Sequence, residues 1–126
     1  MKKIRVMKLI ADVLIGIIAA AHLYIVWFEM FAWEKRGPKV FRNFPRDLFP
    51  KTVTLAANQG LYNGFLVAGL VWSLFIENLL WSKYVATFFL VCVAVAGIYG
   101  TFTASKKILF VQAIPALVAL FFLWLS

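Results

Sequence analysis

Four apolar stretches dominate this chain: Val13–Trp33, Val53–Ile76, Tyr84–Ser105 and Ile108–Leu125. Each is close to the roughly 20 residues an α-helix needs to cross the hydrocarbon core of a bilayer. With 64% of its residues hydrophobic and only 14% charged, the chain has too little polar surface to coat a soluble domain. In lipid the backbone must satisfy its own hydrogen bonds, which favours helices over irregular chain. The sequence therefore predicts an all-α fold, an integral membrane bundle of four transmembrane helices forming a single domain over residues 1–126.

The N-terminus, MKKIRVMK followed by an apolar run and Ala19-Ala20-Ala21, has the outline of a secretory signal. Asp12 interrupts the apolar run, and apolar sequence continues past the alanines to Trp33, so an uncleaved first helix is expected. The single cysteine, Cys92, allows no intramolecular disulfide and no CxxC exchange chemistry. One histidine without an HxxxH or ExxH partner gives no metal site. A non-enzymatic role is favoured on these grounds.

The net charge of +8 is clustered. Lys2, Lys3, Arg5 and Lys8 precede the first helix; Lys35, Arg36, Lys39, Arg42, Arg46 and Lys51 fill the first loop; Lys106 and Lys107 sit in the third. Such clusters in membrane proteins set topology and contact anionic lipid headgroups, and they do not suggest nucleic acid. The excess on the side of loops one and three favours those loops in the cytoplasm of a cell (inner) membrane, with both termini outside. Loop one, Glu34–Thr52, interleaves Phe41, Phe44, Leu48 and Phe49 with its cations and contains Pro38, Pro45 and Pro50, which predicts an anchoring segment lying in the membrane interface. Pro115 predicts a kink in the fourth helix.

Against this background the polar residues inside the apolar segments stand out. At 100° per residue His22 and Glu29 fall within about 20° of each other on one face of the first helix, together with Ile15, Ile18 and Ala19. Lys8 and Asp12 are spaced to pair at the membrane edge. In the second helix the run LAANQGLYNGF places Asn58, Gln59, Tyr62 and Asn63 over about 140° of arc, with Gly60 and Gly64 offering a close approach to a neighbouring backbone. Counting from loop one, Glu29 should lie level with Asn58 or Gln59, and His22 level with Asn63. Tyr99 and Gln112 bring polar groups from helices three and four to the same half of the bundle. A carboxyl group at this depth must be neutralised or paired, and bridging through helix two to His22 or inward-reaching Lys106 or Lys107 would serve. The expected picture is a polar pocket closed toward the termini and open toward a cationic surface.

The segments AHLYIVWFEMF, LAANQGLYNGFLVAG, AGIYG and VQAIPALVAL resemble a family of small bacterial membrane proteins known only as domain-of-unknown-function family 1304. A more distant similarity is to the DoxX-like four-helix proteins, associated with quinol oxidation and redox stress. The resemblance implies four membrane helices and transfers no catalytic residue, because none is defined.

The residues thus point to a ligand site of His22, Glu29, Asn58, Gln59, Tyr62 and Asn63, with Tyr99 and Gln112 secondary, binding or passing a small polar or amphipathic molecule. Two alternatives stay open. A redox-accessory protein could hold a quinone headgroup, its one prospective cofactor, between His22 and Asn58. A ligand-free structural subunit would use every one of these groups as interhelical glue, at roughly 0.6 kcal/mol each. Four short helices enclose little volume, which makes a homodimer attractive.

Overall fold

The computed structural model describes residues Met1–Ser126. The chain is all-α: α1 (Lys2–Phe31), α2 (Trp33–Val40), α3 (Leu48–Lys51), α4 (Val53–Phe75), α5 (Leu79–Thr103) and α6 (Ile114–Leu125), the last entered through a π-helical turn at Leu109–Ala113. The long helices α1, α4, α5 and α6 form a ring in which each packs on its sequence neighbours and α6 closes back on α1. Two of them, α1 and α5, are long and apolar enough to span a membrane. α4 has comparable length but carries three side-chain amides in its first half, and the run Leu109–Leu125 is apolar but shorter.

Element boundaries depart from the sequence expectation where polar residues extend a helix. α1 starts at Lys2 rather than Val13: the basic N-terminus contains no breaker, and Lys8 closes an ion pair with Asp12 at 2.6 Å one turn later. α5 starts at Leu79 rather than Tyr84 because Asn78 caps it, its Oδ1 accepting from the Trp81 N–H at 3.0 Å. Pro115 falls at the second residue of α6, directly after the π turn, in which the Ile114 N–H reaches back to the Leu109 carbonyl. Widening the turn before a proline gives its ring room against the carbonyl four residues back.

Loop one folds as a cap over one end of the ring, built from α2 and α3 around Trp33. The ring centroids of Phe28, Phe41 and Phe49 lie 5.4, 6.0 and 5.2 Å from that of Trp33, and Phe44 lies 4.9 Å from Phe49. Phe49 is 1% exposed. Trp33 also donates from Nε1 to Thr52 Oγ1 at 2.8 Å, tying the start of the cap to its end. These aromatics were expected to point into the lipid boundary. They pack on one another instead, because the turns between Phe41 and Asp47 and at Thr52, on either side of the short α3, fold the segment back on itself and bring the rings together.

At the opposite end the packed core is rich in small residues: Ala11, Ala19, Ala86, Ala94, Ala116 and Ala119 interleave with Ile15, Leu70, Leu90 and Val93. Two glycines bring backbones together nearer the cap. A Cβ on Gly60 of α4 would lie 2.7 Å from Met30 Cγ and 3.1 Å from Glu29 Cβ of α1. A Cβ on Gly97 of α5 would lie 2.7 Å from the Ala113 backbone nitrogen in the π turn. The first crowding falls mainly on a flexible side chain and the second on backbone, so Gly97 is the stricter requirement.

Candidate functional site

The α1 stripe that carries His22 and Glu29 turns inward, leaving His22 1% and Glu29 5% exposed. The two residues serve different interfaces. Both oxygens of Glu29 accept hydrogen bonds from α4: Asn63 Nδ2 to Oε1 at 2.7 Å and Gln59 Nε2 to Oε2 at 2.8 Å. Asn63 Nδ2 also contacts the Gln59 carbonyl at 3.2 Å. Gly60 permits this arrangement by letting α4 lie directly against the Glu29 backbone turn. The only ion pairs in the chain are Lys8–Asp12 and Lys51–Asp47, so two amides, rather than a cation, compensate this carboxyl group.

His22 bonds along α1 and across to α6. Its Nδ1 lies 2.9 Å from the Ile18 carbonyl, and its Nε2 lies 2.9 Å from Gln112 Nε2. With Nδ1–H donating to the carbonyl, Nε2 is the lone-pair acceptor for the Gln112 amide. Gln112 is part of the π turn, and the close Gly97–Ala113 approach fixes that turn against α5. At 1.5 Å per residue His22 and Glu29 are about 10 Å apart along the axis, and no side chain bridges them. By depth alone the sequence places His22 level with Asn63. The structure pairs it with Gln112 instead, because Asn63 sits one turn after Gln59 on the same row and the Glu29 carboxylate reaches both.

Asn58 and Tyr62 form the adjoining i,i+4 row of α4, and that row faces away from α1. Asn58 donates to the Thr54 carbonyl of its own helix at 2.8 Å, and Tyr62 is 64% exposed against Phe65. Tyr99 is likewise on the outer surface of α5 at 71% exposure. The amphipathic arc read from sequence was too broad: of the residues in it, only the Gln59–Asn63 row meets α1.

An open cleft of about 900 Å³ lies between the cap and the loop that joins α5 to the π turn. Glu29, Ala56 and Gln59 form its floor. Trp33, Phe41 and Phe44 line one wall, and the exposed cations Arg42, Lys106 and Lys107 stand at the mouth. Lys107 Nζ reaches the Val40 carbonyl at 3.5 Å, touching the cap across that mouth. Periodicity gave no signal for the aromatic wall, which belongs to a proline-broken loop. The ring-rich composition of that loop was the available clue.

A helical ring with a carboxyl group held by amides beneath a cationic mouth defines a small helical protein with a polar cleft at one end. The chain matches the family described as "Protein of unknown function (DUF1304)" over residues 16–124, and it belongs to that family. It is 31% identical over 121 residues to an uncharacterised protein, YpaA, of Lactococcus lactis subsp. lactis (strain IL1403), covering 92% of this chain and 100% of that one. No solved structure matches it.

Proposed function

We propose that the chain crosses a cell membrane four times, as α1, α4, α5 and the π turn with α6, and binds a small polar or amphipathic molecule in the cleft beneath the cap. The observation that carries this reading is the cleft itself: about 900 Å³, near the upper end of ligand-site volumes, reaching a buried carboxyl group from an open mouth. A carboxyl group used only as glue has no need of a path to the surface. Placing loops one and three in the cytoplasm follows from their excess of Lys and Arg.

Labelling tests the crossings. In a Cys92→Ala background, cysteines introduced at Lys39 and at Ser126 should react from opposite faces of the membrane; reaction from one face would contradict four crossings. Occupancy tests the cleft. Ala104 is an exposed cleft residue at the end of α5, where a large side chain blocks the mouth without entering the packed core. Native mass spectrometry from lipid nanodiscs should show a small-molecule adduct on the parent protein that Ala104→Trp loses, and the same spectra report whether the chain is a homodimer. Equal spectra for both proteins would favour a ligand-free structural subunit. The quinone alternative draws no support from its two intended donors, since His22 is engaged by Ile18 and Gln112 and Asn58 bonds to its own helix.

A further inference from the structure

We infer that the molecule suited to this cleft is a zwitterion, with an ammonium group inward and an anionic group outward. The inference rests on the cleft being a ligand site and adds the class of ligand. Three features at different depths carry it. The floor is rich in acceptors: each Glu29 oxygen already takes one amide hydrogen, which leaves about half of the roughly four lone-pair positions of a carboxylate for a further donor. The wall is aromatic, with Trp33, Phe41 and Phe44 lining the same space, and ring faces attract alkylammonium groups. The mouth is cationic, with Arg42, Lys106 and Lys107 exposed and no acidic residue among the cleft's lining except Glu29.

Each simpler ligand meets an unfavourable part of that gradient. A pure cation must pass three positive side chains to reach Glu29. A pure anion is held at the mouth and repelled by the carboxylate below it. A molecule carrying both charges a few bonds apart satisfies both ends at once, as the head of an ethanolamine phospholipid or a soluble phosphorylated amine would. The cleft opens beside the apolar Val40 and Leu55, so an acyl chain attached to such a head has apolar surface to follow.

The test uses the full chain in phosphatidylglycerol nanodiscs with three soluble probes at equal concentration: phosphoethanolamine, ethylamine and inorganic phosphate. Native mass spectrometry should retain phosphoethanolamine about tenfold more strongly than either single-charge probe, the difference expected from one added charge-assisted contact. Glu29→Gln should lower phosphoethanolamine retention by about the same factor and raise phosphate retention, because it removes the carboxylate that repels an anion. The exposed pair Lys106→Gln/Lys107→Gln, which makes no core contact, should lower phosphoethanolamine and phosphate together. A second arm adds phosphatidylethanolamine to the nanodiscs. Displacement of the soluble probe by that lipid assigns the site to a headgroup, and no displacement assigns it to a soluble zwitterion; both support the inference. Equal retention of all three probes, or full retention by Glu29→Gln, overturns it. If an endogenous adduct is lost in Ala104→Trp while phosphoethanolamine fails to bind, the zwitterion is wrong and the cleft reading stands. If no adduct or probe responds to Ala104→Trp, both fall.

Discussion

Phe49→Ala is expected to detach the cap, with a loss of about 3–5 kcal/mol from removal of a fully buried aromatic ring. Phe49 is the most enclosed large side chain of the cap, in contact with Trp33 and Phe44 and pressed against Gly37, where no Cβ could fit without moving the ring. The damage should be local. The core at the other end of the ring shares no residue with the aromatic cluster, so helix content should persist while loop one becomes open to protease. Limited proteolysis combined with circular dichroism reads the two quantities separately. Cleavage between Gly37 and Lys51 with unchanged helicity is the expected pattern. Simultaneous loss of both signals would mean that the cap is required to hold the ring together. Because Trp33, Phe41 and Phe44 also line the cleft, any bound molecule should be lost with the cap.

Glu29→Ala should destabilise the helical ring itself, by about 1–3 kcal/mol, because it strands the half-buried Asn63 amide and removes the Gln59 contact that ties α4 to α1. Glu29→Gln should cost far less. A glutamine at this position offers one carbonyl oxygen, and either Gln59 or Asn63 can turn its amide to accept from the new NH₂ group. Thermal unfolding in detergent, followed by tryptophan fluorescence, should therefore rank parent and Glu29→Gln together and Glu29→Ala well below. The ranking separates two roles of one residue. The hydrogen-bonding capacity of Glu29 joins α1 to α4, whereas its charge would serve the proposed ligand. Should both variants unfold alike, the charge itself is needed for assembly, and compensation by amides alone is insufficient.

Much of this arrangement was legible in the sequence, for identifiable reasons. The inward face of α1 followed from His22, Glu29, Ile15, Ile18 and Ala19 sharing one helical stripe, and the Lys8–Asp12 pair followed from their spacing. The meeting of Gln59 with Glu29 followed from counting residues away from a shared loop. What was not legible depended on rotation. Four polar groups within six residues of α4 cannot all face one neighbour, and only packing decides that Gln59 and Asn63 turn inward while Asn58 and Tyr62 turn out. The partner of His22 was hidden because the ring closes through α6, and a contact between the first and last helices leaves no local signal. The cap was hidden for a different reason. Aromatic residues among cations and prolines read equally well as lipid anchors or as a folded cluster, and only the path of the chain between Val40 and Leu48 separates the two.

The alanine-rich half of the ring works as a stopper. Below the cleft the helices are drawn together by side chains of one carbon, and Ile18, His22, Leu90 and Val93 fill the remaining space. A molecule entering beside Glu29, as proposed, would therefore meet a dead end in this conformation. On the proposed reading the chain would hold, hand back or present a cargo on the side from which the cargo came. Carrying it across would require the buried core, at Ala19, Ala94 and Ala116, to part by the width of a solute.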